Sequence, residues 1–296
     1  MDKFDYEKSF MGAGNIIFEK NGSDFMGRFE YRIFNFLRQI KKVEGRICDI
    51  GCGGAEFLKK IKKLFPESQC FGCDISHKAI ELGSTVPSPW ASLKIIESDG
   101  ILPYENNFFD ICVSTCVLEH VADIEAQLKE INRILKIGGL VHICVPCEGQ
   151  PLSMNWLYQK TGWGKNFTFK NWGHIQPQLT HEKMIDHLKA TGFEVKKISY
   201  SLHLPVDFLN LFLYFLPKEI LEAVFKARAF QFTDASMVEA KVHNRKNRGF
   251  FYFFRSCWLS ILAANEVLRT LDAILLGNIP FTASTVHITC RKKFEI

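Results

Sequence analysis

The sequence predicts an α/β fold in which a mostly parallel sheet is covered by helices on both faces and carries a helical cap. Three observations predict it. Short apolar runs alternate with helix-period segments from Arg46 onward, the pattern of βαβ units. A glycine turn, Gly51-Cys52-Gly53-Gly54, sits at the first strand-to-helix junction. About 80 residues, Ser201 to Thr282, separate the last two strand-like runs, far beyond the usual connection of about 4 to 6 residues.

Composition narrows the class. Of 296 residues, 47% are hydrophobic and 23% charged, a globular balance. Thirty-seven Lys and Arg against 32 Asp and Glu leave +5, too small an excess to imply nucleic acid as a partner. The start, MDKFDYEKSF, mixes charges where a signal peptide has an apolar run. A cytoplasmic location is therefore expected, with the ten cysteines as reduced thiols. No stretch reaches the roughly 18 to 20 apolar residues of a spanning helix.

Apolar residues Phe25, Phe29, Ile33, Phe36, Leu37 and Ile40 recur every three or four positions, which predicts an amphipathic helix. Arg46 to Ile50 reads as the first strand and Ala55 to Phe65 as a helix, through Phe57, Leu58, Ile61 and Leu64. Strand Gln69 to Cys73, helix His77 to Leu82 and strands Leu93 to Glu97 and Phe108 to Ser114 follow. A helix is expected from Ala122 to Leu135, ended by Lys136-Ile137-Gly138-Gly139 as a basic last turn with glycine stops. Strand Leu140 to Val145, helix His181 to Ala190 and strands Phe193 to Tyr200 and Ser284 to Cys290 complete the pattern, the last two expected to pair antiparallel. The organisation is then an N-terminal helical cap over 1–45, a cofactor-binding core over 46–200, a helical aromatic-rich insert over 201–282, and a last strand with its tail over 283–296.

The glycine turn carries the chemistry. At a strand-to-helix turn, glycines let backbone approach a ligand, and the helix N–H groups face it. A dinucleotide site needs a third glycine where Glu56 stands. A carboxylate there repels pyrophosphate, while Asp49 and Glu56 suit a positively charged ligand such as an ammonium or sulfonium. Asp74 lies 21 residues after Gly53, at the end of the second strand, where an acid can accept hydrogen bonds from ribose hydroxyls. Taken singly, Asp74 could cap a helix, Asp99 could start a turn and Glu119 could be a surface acid.

In this order, and with Leu118-Glu119-His120-Val121 and Leu135-Lys136-Ile137-Gly138-Gly139 after them, the motifs resemble those of the class I S-adenosylmethionine-dependent methyltransferases over roughly Arg46 to Tyr200. The resemblance implies a Rossmann-like sheet of order 3-2-1-4-5-7-6 with an antiparallel last strand, and S-adenosyl-L-methionine as cofactor. It implies that Gly51 and Gly53 contact the methionine part while Asp49 orients its amino group. Asp74 takes the ribose, Ile75 packs on the adenine, and Asp99 accepts from the adenine amino group with Gly100 and Ile101 beside it. Thr115 and Cys116 border the sulfonium.

Two histidines are candidate catalytic bases, because a near-neutral pKa beside the methyl carbon assists transfer to oxygen. His120 follows the fourth strand, and His174 lies in the loop that lines the acceptor pocket in relatives; a structural histidine bonded to backbone is the alternative for each. No metal is expected: Cys70/Cys73 and Cys144/Cys147 lie on strands, where residues three apart point to opposite faces. The runs Phe208 to Leu216 and Phe250 to Phe254, the second after Lys241, Arg245, Lys246 and Arg248, suit either a lid over a greasy pocket or a peripheral membrane contact. The expected function is methyl transfer to a small hydrophobic or lipid-borne acceptor, at oxygen. Carbon or nitrogen methylation, lipid cyclopropanation, and a cofactor-binding membrane or partner adaptor without turnover are the alternatives.

Overall fold

In the computed structural model, residues 31–84, 90–160, 173–210 and 264–294 are described. The first helix, α1 (Tyr31–Gln39), buries Ile33 and Phe36 and ends near the start of β1 (Arg46–Ile50). There follow α2 (Glu56–Leu64), β2 (Gln69–Asp74), α3 (His77–Ser84), β3 (Ala91–Ile95), β4 (Phe109–Thr115), a single 3-10 turn (Leu118–His120) and α4 (Ile124–Ile134). Then come β5 (Leu135–Pro146), α5 (Met154–Lys160), α6 (His181–Ala190), β6 (Phe193–Ser201), α7 (Leu204–Asn210) and β7 (Thr285–Lys292), with residues 264–275 helical before β7.

The seven strands form one sheet of order β3-β2-β1-β4-β5-β7-β6. The first five pair parallel, while β7 runs antiparallel to both β5 and β6, for example Ile143↔Ile288 and Ile198↔Ile288. Helices cover both faces, as the apolar strands require. On one face Ile33 and Phe36 of α1 and Leu58 and Ile61 of α2 pack on Ile47 and Val113. On the other, Leu128, Ile131 and Ile134 of α4 and Met184 and Leu188 of α6 pack on Val141, Ile143 and Ile288.

Polar groups fix α1 across the sheet. Gln39 donates to Ser199 Oγ (2.6 Å) and accepts from Thr289 Oγ1 (2.6 Å), while Arg38 donates to the Ala273 carbonyl (3.2 Å). His203 Nδ1 meets Asp272 at 3.0 Å, which joins the start of α7 to the 264–275 helix.

Two expectations are corrected. The run Lys136-Ile137-Gly138-Gly139 does not end a helix: α4 stops at Ile134, and Leu135 already pairs with Phe109 before a register shift to Ile111↔Leu140. Gly138, at φ 80, belongs to this irregular strand, and Lys136 forms an ion pair with Asp110 (2.6 Å). The third strand begins two residues earlier than expected, because β2 pairs from Cys70 with Ala91. Leu211 to Leu216 and Phe250 to Phe254, with the basic stretch before the latter, lie outside the described residues. No helix among the described residues is long and apolar enough to cross a membrane.

Candidate active site

The parallel strands end together at one edge, β1 at Ile50, β2 at Asp74, β3 at Ile95 and β4 at Thr115. Strand order reverses direction at β1/β4, and ligands of open α/β sheets bind at such a switch point. The turn after β1 is pinned from below: Gly51 N and Cys52 N donate to the Cys73 carbonyl (2.8 and 3.1 Å). Gly51 sits at φ 72 with Val117 so close that a Cβ would lie 2.3 Å from its Cγ2, so packing alone requires glycine there. Gly53 differs. At φ 50, nothing lies within 4 Å of where its Cβ would be, so it faces open space.

Asp74 organises the turn from the neighbouring strand. One carboxylate oxygen accepts from Gly53 N (2.7 Å) and the other from Ser76 N (2.9 Å), a turn contact, while the cap of α3 is Ser76, whose Oγ accepts from Ala79 N (3.1 Å); a carboxylate offers about four acceptor positions and keeps capacity for a ligand. Ile75 and Ile101 are 51% and 54% exposed, two large apolar side chains at the edge with no core role. Asp99 is exposed, and its Oδ1 accepts from Ile101 N (3.0 Å), a local turn that presents Gly100 with open space around it.

Asp49 lies deepest. It is 1% exposed, and its Oδ1 has no hydrogen-bond partner among the described residues. Burial, with the Asp74 charge beside it, pushes its carboxyl up from 3.8 to about 8, against the opposing pull of the Arg32 guanidinium. At pH 7 the buried acid therefore holds its proton, and a cation placed against it would favour the carboxylate.

Next to this pocket β4 turns sharply. Cys116 adopts φ 57, an uncommon conformation for a non-glycine residue, and its N–H donates to the Cys144 carbonyl (2.8 Å). A hydrogen bond from Cys144, with the charges of Arg32 and His174, holds the Cys116 thiol below its usual range despite burial. Thr115 before it is half-buried.

His120 and His174, 54 positions apart, meet with ring centroids 5.0 Å apart. The chain around them is stitched: Ile175 N donates to the Glu119 carbonyl (2.9 Å) and Gln176 Nε2 to that of Val121 (2.6 Å). His120 Nδ1 bonds the Gly173 carbonyl (3.2 Å), and His174 Nδ1 bonds Glu148 Oε1. Burial, with His174 beside it, lowers the His120 pKa to about 4, so its ring is neutral at pH 7. Glu119 is no surface acid: it is 1% exposed, and burial with Cys116 nearby pushes its carboxyl well above the ordinary range.

Sequence reasoning did not find Glu148, Arg32 or the buried role of Glu119. Glu148 follows β5 in a loop with no motif, and Arg32 reads as an ordinary basic residue on an amphipathic helix. Only the tertiary structure sets Arg32 against Asp49, Cys116 and Glu119.

A family model described as a methyltransferase domain matches residues 48–143. A demethylmenaquinone methyltransferase of Staphylococcus aureus is 32% identical over 99 residues, 33% of this chain and 41% of the relative. The chain thus spans about two fifths of the length of that curated relative. A solved S-adenosylmethionine-dependent methyltransferase from Mesorhizobium loti superposes at TM-score 0.53 with 14% identity, covering 88% of this chain and 97% of the other. Phosphoethanolamine N-methyltransferase 2 of Haemonchus contortus, in complex with S-adenosyl-L-methionine, does so at 0.52 with 17% identity, covering 95% and 60%.

The family model over residues 48–143 and the sheet order support a class I S-adenosylmethionine-dependent methyltransferase domain. S-adenosylmethionine is the cofactor of that family, and the residues present fit it. The unpartnered Asp49 oxygen suits an ammonium, the open face at Gly53 admits a ligand against backbone, and exposed Ile75 and Ile101 offer apolar surface to a base. When bound, the cofactor supplies an electrophilic methyl group on a sulfonium. In such a domain the Asp49 carboxylate would orient the amino group, Asp74 would hold the ribose while bracing the Gly53 turn, and the Cys116 turn would border the reacting end.

Proposed function

We propose that the chain transfers a methyl group from S-adenosylmethionine to an oxygen of a hydrophobic, lipid-borne acceptor. The observation that carries this reading is the buried Asp49 oxygen without a partner beside the open glycine turn. An unpaired buried carboxyl destabilises a fold unless a cation meets it, which favours cofactor binding; the match to a methyltransferase domain is what favours turnover over an adaptor role. Methyl transfer is an in-line displacement governed by positioning, so the residues' task is to hold donor and acceptor in line and exclude water. The Glu119, His120 and His174 cluster beside Cys116 forms a polar end suited to a hydroxyl.

The greasy character rests on two further observations. Val267, Leu271, Ile274 and Leu275 are exposed at helical spacing, and Ile279 and Phe281 just after the helix are exposed too, the kind of apolar surface that meets lipid. The S. aureus relative is named for a quinone acceptor.

The test is S-adenosylhomocysteine release with the full chain over long-chain phenols and quinols, water-soluble amines and sugars. Turnover on the phenolic set, with product methylated at oxygen, is expected. Turnover confined to the polar acceptors would refute the acceptor class, and cofactor binding without turnover on any class would favour the adaptor.

A further inference from the structure

Three polar side chains converge beside the reacting end of the cleft in a way that base catalysis alone does not require. Glu119, His120 and His174 each offer a ligating atom, and these atoms all lie within 4.8 Å of one another. His120 Nε2 is 3.8 Å and His174 Nε2 is 3.9 Å from the same Glu119 oxygen, Oε1. Both separations are too long for hydrogen bonds. They are close to those of atoms sharing one ion: ligands at about 2.1 Å in a tetrahedral set lie about 3.4 Å apart.

We propose that Glu119, His120 and His174 bind a divalent first-row transition-metal ion such as Zn2+, with Glu148 and the Gly173 carbonyl as the groups that orient the two imidazoles. Each Nδ1 is committed to a hydrogen bond, His120 to the Gly173 carbonyl (3.2 Å) and His174 to Glu148. A proton on Nδ1 makes Nε2 the lone-pair nitrogen, and in both rings Nε2 is the atom nearer Glu119. A carboxylate behind a ligating histidine is the usual outer support of such a site.

The second observation is Glu119 itself. It is 1% exposed, and neither carboxylate oxygen has a hydrogen-bond partner among the described residues. Glu148, also 1% exposed, places a second carboxyl in the same buried space. Arg32 acts on Glu119 electrostatically, yet no hydrogen bond from it to Glu119 satisfies those oxygens. Two imidazoles with one carboxylate suit zinc or iron(II), and three protein ligands leave a position open. The imidazoles thereby become ligands of the ion, in place of the proton-accepting role expected for them. Resting on the methyltransferase reading, the open position would take the acceptor's oxygen, whose proton a metal ion makes easier to lose.

The full chain, stripped with chelator and dialysed against Zn2+ or Co2+, should bind one ion. Co2+ should give weak visible bands of nitrogen and oxygen ligation without the intense near-ultraviolet charge transfer of a thiolate. Glu119→Gln and His174→Ala should each weaken binding at least about 100-fold, and Glu148→Gln about 10- to 100-fold through loss of orientation. S-adenosylmethionine affinity, measured by calorimetry, checks that the variants fold. No stoichiometric binding, a thiolate spectrum, or affinity indifferent to all three substitutions in folded protein would overturn the site. The wild-type spectrum decides the matter even where a variant fails to fold. One ion bound without methyl transfer to any acceptor would leave the site standing and refute the methyltransferase reading.

Discussion

Asp49→Asn should make the unliganded protein more stable while it damages cofactor binding. The wild-type carboxyl is 1% exposed with a folded pKa of about 8, against 3.8 for the ordinary group. Between these values the folded state holds a proton that the unfolded state has lost, so stability falls as pH rises through that window. At pH 7 the interval from 3.8 to 7 corresponds to about 4 kcal/mol at 1.36 kcal/mol per pH unit. Asparagine has no charge to suppress but keeps a buried polar group, so a gain of about 2 to 4 kcal/mol is expected, or roughly 5 to 10 °C in melting temperature. The assay is thermal melting of both proteins from pH 4 to 8.5. The two should melt together near pH 4, and the gap should widen up to about pH 8. Calorimetry at pH 7.5 should show S-adenosylmethionine binding weakened about 10- to 150-fold, the loss of one charge-assisted hydrogen bond. A gap that does not change with pH, or a variant less stable than wild type at pH 7, would refute the reasoning.

The other expectations concern the turn and the core. Gly51→Ala forces a Cβ to within 2.3 Å of Val117 at φ 72 and should destabilise the fold strongly, whereas Gly53→Ala meets open space and should cost only the left-handed backbone strain of about 1 kcal/mol while weakening cofactor binding; calorimetry beside melting separates them. Asp74→Ala removes acceptors for Gly53 N and Ser76 N and should weaken the cofactor by about 1.5 to 3 kcal/mol, with unchanged affinity excluding Asp74 from the site. His142, buried in β5 with its pKa lowered by burial to about 3, stays neutral in the fold while the unfolded chain protonates near 6.5. Its contribution is present above pH 6.5 and lost as pH falls, so His142→Phe should flatten the acid side of the stability profile by up to one proton, a change that denaturant melts from pH 4 to 7 would detect.

Much of this was legible in one dimension, for a physical reason. Strands such as Ile47 to Ile50 and helices such as Glu56 to Leu64 are dictated by local periodicity, and the glycine turn between them by backbone geometry that few residues can adopt. The strand order 3-2-1-4-5-7-6 was implied by the family resemblance that the motifs carry, and the sheet has it. The end of α4 was misread because Leu135 to Gly139 has the chemistry of a helix stop, yet pairing with Phe109 draws it into the sheet. That competition is between a local signal and a partner 26 positions away, and only the partner wins the hydrogen bonds.

The site divides the same way. Asp49, Gly51, Gly53 and Asp74 sit within one βαβ unit, so spacing alone brings them to one edge. Glu119, Glu148 and His174 come from separate elements and carry no shared spacing, and burial is what turns Glu119 from an ordinary acid into one that demands a partner. The sequence determined which backbone forms the glycine turn at the sheet edge; the tertiary structure decided which distant charges gather beside it, because desolvation and proximity exist only once the chain is packed.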